Sequence, residues 1–208
     1  MVSHLFSLSV PSVVCLITAM HPSFFSWHPA LMSIGFGLLM TQGILLFSKS
    51  SSLFPDLKHP EKVQRHQKFM LPALTCALVG FAVIYSNKVK MNKDHFTTPH
   101  GKLGLIAVVY SCVQVPAGIA LNNARRLRLP RPGLIGTAHG ASGTLLFVIA
   151  SAAIVSGMQS SWFTERVNFY VKGLLTVACV LNAMAIAAQN VQVLQRKLAP
   201  YLGNTKKS

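Results

Sequence analysis

Four histidines could do chemistry together. His28, His66, His100 and His139 each stand at the mouth of a long apolar run, and successive members are 38, 34 and 39 positions apart. Imidazole ligates metals and moves protons, and an ionisable side chain at an apolar span is costly enough to suggest a use. Each interval equals one crossing of a membrane plus one loop. Alternate histidines therefore share a face, so that His28 pairs by side with His100, and His66 with His139. Two imidazoles facing across a helix bundle, with no cysteine or carboxylate beside them, suit an iron porphyrin held by two axial nitrogens. Zinc would ask for four ligands, or three and a water. A flat macrocycle also needs low-volume neighbours, and Gly101, Gly104, Gly136, Gly140, Ala141 and Gly143 supply them near His100 and His139, since glycine lets a backbone approach closely. Gly136 and Gly140 also make a GxxxG spacing, whose ordinary use is contact between helices.

The elements that must position these residues are membrane helices. Hydrophobic residues make up 51% of the 208, and charged residues only 11%, far from the roughly one-quarter charged content of soluble domains. No Lys, Arg, Asp or Glu precedes Lys49, and later charge-free runs cover 69–87, 103–124, 132–164 and 173–195. A bilayer core about 30 Å thick takes about 20 helical residues, so each later run holds one crossing. The first run holds two, divided by the stretch HPSFFSWHP at 21–29, which is too polar and proline-rich for mid-membrane and carries interfacial aromatics. Six helices are thus predicted, over 4–20, 29–47, 67–86, 101–121, 135–157 and 170–192, in a single all-α unit spanning 1–208. Helices two to five form the four-helix core around the histidines. The first helix lacks the basic start and small-residue cleavage site of a signal peptide and is expected to stay.

A net charge of +15 would suggest nucleic acid in a soluble chain. In a membrane chain it reports which side the loops occupy, and no nucleic-acid partner is expected. Six crossings place both termini on one side, together with Lys49, Lys58, Lys62, Arg65, Lys68, Arg125, Arg126, Arg128, Arg131, Arg196, Lys197, Lys206 and Lys207. The other side holds Lys88, Lys90, Lys93, Lys102, Arg166 and Lys172. Thirteen against six predicts cytoplasmic termini, and the same basic loops suit lipid headgroups in the bilayer. Cys15, Cys76, Cys112 and Cys179 all lie in apolar spans without CxxC spacing, and read as small core residues.

With these residues in view, the chain resembles the cytochrome b561 family of transmembrane electron carriers, and more narrowly its cytochrome b561 domain-containing proteins. The matching stretches are SFFSWHPALM at 23–32, Leu46-Phe47-Ser48, Arg65-His66, HFTTPHGKLG at 95–104, HGASG at 139–143 and Ser161-Trp162-Phe163-Thr164. The resemblance implies six helices and two b-type haems, with His28 and His100 on the non-cytoplasmic haem and His66 and His139 on the cytoplasmic one. That agrees with the pairing by side. It also implies electron transfer from cytoplasmic ascorbate to a non-cytoplasmic acceptor, either ferric iron or monodehydroascorbate. Ascorbate is an anion, so Lys62, Arg65 and Lys68 around His66, with Arg131 before helix five, are candidates for its mouth. On the far side His95 is the candidate for the acceptor. The family further suggests an endomembrane location, in the endoplasmic reticulum or vesicles, and a homodimer. Many relatives carry a longer N-terminal segment or a DOMON-type domain, which nothing here resembles, so regulation through such parts is not expected.

A secondary transporter is the rival reading, with the histidines as proton relays. Gln114 and Pro116 in helix four suit it, but it expects polar sites near the midplane, whereas these histidines lie near the faces. A purely structural membrane protein would leave four histidines in register unexplained. His4, His21 and His59 are given no role.

Overall fold

The computed structural model describes residues 2–48 and 50–202, with side chains from 3 to 195. Six helices are long and apolar enough to cross a membrane. They are α1 (Val2–Met20), α2 (Trp27–Leu45), α3 (His59–Lys90), α4 (Pro99–Asn122), α5 (Pro132–Gly157) and α7 (Phe169–Leu202), with a short α6 (Ser161–Thr164) between the last two. No strand forms among the described residues. Of the basic residues that set the predicted sidedness, Lys49, Lys206 and Lys207 lie outside the described residues, as do the side chains of Arg196 and Lys197.

Local chemistry fixes where each helix begins. Pro99 and Pro132 open α4 and α5, positions where the missing N–H is an orphan donor in any case. The hydroxyl of Thr98 accepts from Gly101 N at 3.1 Å. The carboxylate of Glu61 accepts from Lys58 N at 2.8 Å ahead of α3. At the turn into α2, Ser23 and Ser26 exchange hydroxyl and amide bonds of 2.9 and 3.1 Å, and Ser26 is 0% exposed.

Two features depart from the expected spans. α3 starts at His59 rather than near 67 and runs for 32 residues, about 48 Å at 1.5 Å per residue. Its first two turns therefore stand outside a bilayer core of about 30 Å. The charges at 58–68 mark the edge of the hydrocarbon, but charge does not end a helix, and Pro60 suits its first turn. Within α2, residues Ser33–Met40 wind as a π-helix. The helix there lies close against α3, because a Cβ on Gly35 would sit 2.9 Å from the Ala73 carbonyl.

α2, α3, α4 and α5 close into a ring, each touching the next and α5 returning to α2. α1 and α7 pack outside it, against α2 and α5 respectively and against each other. The centre of the ring is apolar, built from Phe36, Met40, Ala77, Ala107, Leu146 and Phe147. Phe36, Ala107 and Phe147 lie seven or eight residues beyond His28, His100 and His139. About two helical turns therefore separate these three histidines from mid-bundle.

Candidate functional site

Each histidine is met by a glycine or a bare carbonyl from the helix beside it. His28, in the first turn of α2, donates through Nδ1 to the Gly80 carbonyl of α3 at 3.0 Å. His66 of α3 returns the arrangement, donating through Nδ1 to the Gly43 carbonyl of α2 at 3.0 Å. His100 of α4 donates through Nδ1 to the Ala153 carbonyl of α5 at 2.9 Å. A carbonyl only accepts, so Nδ1 carries the proton on these three rings and Nε2 is left with its lone pair free. His139 differs, for its Nδ1 is buried with no hydrogen-bond partner.

Small residues make this approach possible. A Cβ on Gly157 would come within 2.9 Å of the His100 ring, and one on Gly118 within 3.0 Å of the His139 ring. Gly104 and Gly140, by contrast, face open space with no atom within 4 Å of where a Cβ would stand. These contacts escaped the reading of the sequence, yet they left a trace in it. Gly43, Gly80, Gly118 and Gly157 follow the histidines of their own helices by 15, 14, 18 and 18 residues. In an antiparallel pair, the far end of one helix lies level with the near end of the other.

The bundle brings His28 and His100 together at one end. The His28 and His100 rings have centroids 6.1 Å apart and planes at 79°. His66 and His139 lie toward the opposite end, where Asn122 of α4 meets Gln67 of α3 and Gly118 of α4 meets the His139 ring. Depth along the helices is less uniform than the intervals suggested: His28 and His100 are the second residues of their helices, while His66 and His139 are the eighth of theirs. The two layers are about 21 Å apart, as the 14 residues from His66 to Gly80 give at 1.5 Å each.

The other candidates fall in three places. Lys62 donates to the Pro55 carbonyl at 3.2 Å, and the Arg65 guanidinium lies 4.2 Å over the Phe54 ring. Both thereby hold the loop before α3 beside His66. At 3.6 residues per turn, Lys62 sits about 40° round the helix from His66 and Lys68 about 160°, so Lys68 is exposed on the opposite side. Arg131 is exposed at the start of α5 with a left-handed backbone. His95 stacks on Tyr85 at 4.4 Å, next to a parallel pair made by Phe96 and Phe81. His4 ties α1 to the end of α2 through Gln42 and the Ser51 carbonyl, and His59 leans on Phe47, which also contacts His66.

Near the His28–His100 pair, an open groove of about 720 Å³ runs between the α1–α2 turn, the end of α3 and α6. His21, Lys88, Lys93, Phe25 and Trp162 line it with Glu165 and Arg166, which pair at 3.7 Å. Phe25 touches both Trp162 and His28, at 5.9 and 6.1 Å between centroids. No cluster of three or more His, Cys, Asp or Glu able to hold a bare metal ion occurs among the described residues. The donor set on offer is the paired imidazole.

The eukaryotic cytochrome b561 family model matches residues 27–164, from the first residue of α2 to the last of α6. The chain belongs to the eukaryotic cytochrome b561 family. All four histidines lie in the matched region. The transmembrane reductase CYB561D2 of Mus musculus and that of Homo sapiens are each 32% identical to this cytochrome b561 over 200 residues, covering 95% of this chain and 90% of the relative. The lysosomal membrane ascorbate-dependent ferrireductase CYB561A3 of Mus musculus is 27% identical over 140 residues, covering 67% of this chain and 57% of that protein. No solved structure matches. Membership makes this chain a multi-pass transmembrane oxidoreductase that moves electrons, and it implies b-type haem. The site fits such a group: three rings present a free Nε2, and glycines face open space beside His100 and His139.

Proposed function

We infer that this cytochrome b561 carries electrons from cytoplasmic ascorbate, across the bilayer, to a non-cytoplasmic acceptor that is ferric iron or monodehydroascorbate. His28 and His100 would hold one b-type haem, and His66 and His139 a second. When bound, the two haems supply reversible one-electron chemistry at iron. The chain supplies position: each imidazole is fixed from behind or from the side by a neighbouring helix, and the apolar centre keeps water from the path between layers.

One observation carries the reading, the 6.1 Å between the His28 and His100 rings. A metal–imidazole bond is about 2 Å, so two imidazoles at this separation would be able to share one metal atom, which supports the pairing of His28 with His100.

Ascorbate as donor is supported by the printed name of the mouse ferrireductase and by the basic start of α3. Lys62 and Arg65 are the residues placed to meet the anion, with Arg131 from α5. Lys68 faces away and acts through charge alone. The excess of Lys and Arg on the side of His66 and His139 supports a cytoplasmic position for that layer and for both termini. The acceptor side combines the aromatic stack at His95 with the groove at Lys88 and Lys93, whose cations suit anionic chelates. Residues 1–208 act as one unit in this reading, placed in an endomembrane. Proton-coupled transport is disfavoured by the core, where Ala77 and Ala107 are 0% exposed and Phe147 2%, and where the buried polar side chains nearby, Ser33, Thr41, Ser111, Ser151 and Asn182, include no titratable group.

The test is a reduced-minus-oxidised spectrum of the purified chain with ascorbate as sole reductant, calibrated for haem per chain. Two b-type haems reduced by ascorbate are expected. A chain purified without haem, or with haem that ascorbate leaves oxidised, would overturn the reading.

A further inference from the structure

The geometry points to Gln114 as a positioning residue for His139, acting on the backbone of α5 rather than on the imidazole ring. The inference rests on the reading of His139 as an axial ligand. Gln114 Nε2 donates to the His139 carbonyl at 2.7 Å, and Gln114 Oε1 accepts from the Ser142 hydroxyl at 3.0 Å. That hydroxyl has one proton, so it donates either to Gln114 Oε1 or to the His139 carbonyl, which lies 3.1 Å away. The carbonyl has two lone pairs, so it can accept from the Gln114 amide in addition to its bond within the helix.

Three further observations converge on this clamp. Gln114 and Gly118 are one turn apart, so α4 presents both to the same stretch of α5, and Gly118 is the residue against the His139 ring. Gly143 leaves the space that the amide fills, since a Cβ there would stand 2.9 Å from Gln114 Nε2. Most telling is the contrast among the four histidines. His28, His66 and His100 are each oriented through Nδ1 by a carbonyl of the adjacent helix, whereas His139 Nδ1 has no partner. A ligating imidazole without an outer partner can swivel about its axis, and its basicity is not raised from behind. For the fourth histidine the hold is on the main chain, which the Gln114 amide fixes in position and from which the ring projects. In an apolar bundle a glutamine amide needs partners, and placing all of them on one turn of α5 makes that turn the thing it holds.

The test compares the full-length wild type with Q114L and G143A, each purified with haem. G143A leaves Gln114 in the chain and displaces its amide, so it serves if Q114L folds poorly. Electron paramagnetic resonance and a redox titration read each haem separately, and an H100A background identifies the signals that belong to the cytoplasmic layer. Both variants should shift the g-values and the midpoint of the cytoplasmic haem alone, and haem should leave that layer about tenfold faster, at the low end for outer-sphere partners. Unshifted signals in both variants, or equal shifts of both haems, overturn the proposal while the two-haem reading stands. A wild type that lacks a haem at His66 and His139 sinks that reading, and the role of Gln114 with it.

Discussion

At the scale of residues, the glycines decide whether an imidazole can point where it does. Gly157 is the clearest case, because any side chain there meets the His100 ring at 2.9 Å. Replacing it with valine should displace the ring, destabilise the bundle by about 1–3 kcal/mol as overpacking does, and empty the outer layer. Gly104 makes the opposite prediction. Nothing stands within 4 Å of its missing Cβ, so Gly104→Leu should leave the haem-free chain stable to within about 0.5 kcal/mol while lowering haem retention. Thermal unfolding of the two variants with and without haem checks both, and equal haem retention in Gly104→Leu and wild type would show that the open space serves nothing. His100→Ala should halve the haem per chain and leave the remaining haem reducible by ascorbate. A full haem content in that variant would break the pairing of His28 with His100. The histidines themselves were legible in the sequence because their intervals match a crossing plus a loop. Their partners Gly43, Gly80 and Ala153 were not, since each contributes a backbone carbonyl, and a carbonyl belongs to every residue type.

At the scale of elements, α3 shows where sequence reasoning stops. Its apolar run was bounded by charge, which locates the hydrocarbon, whereas the helix begins two turns earlier at His59. That extension turns Lys62, Arg65 and Lys68 from loop residues into points on a helix, with defined faces. Lys62 and Arg65 stand beside the His66 layer and also hold the preceding loop; Lys68 lies on the other side. Neutralising the first two as Lys62→Gln and Arg65→Gln should raise the KM for ascorbate severalfold without bleaching the haem, whereas Lys68→Gln should leave KM within about twofold, as expected for an exposed and screened charge. Steady-state reduction by ascorbate at low and high salt separates the cases. Equal effects of all three would return them to membrane topology. The π-helical stretch of α2 was likewise invisible, because Ser33–Met40 is as apolar and as glycine-rich as an ordinary packed helix, and the register is set by the fit of Gly35 against Ala73.

In the proposed reading the bundle holds two small layers of chemistry about 21 Å apart, with an apolar cluster between them. In that reading an electron moving between them moves charge, and Phe36, Met40, Leu146 and Phe147 at the centre contribute no titratable side chain that would carry a compensating proton. A sealed vesicle should therefore charge up as the protein works. Each unit of charge crossing 100 mV costs about 2.3 kcal/mol, so transfer should slow as the potential builds. The expected outcome is definite in vesicles holding ascorbate inside and an impermeant ferric chelate outside, with the chain oriented so that the His66 layer faces the lumen. Reduction of the chelate should begin fast, decay within the time taken to polarise the membrane, and recover when a proton ionophore collapses the potential. His28→Ala and His100→Ala should each abolish it. A histidine-relay transporter would behave otherwise, acidifying or alkalinising the lumen with no chelate present. Chelate reduction that never responds to the ionophore would mean that a proton accompanies each electron, and the apolar centre could not then be the insulator its packing suggests.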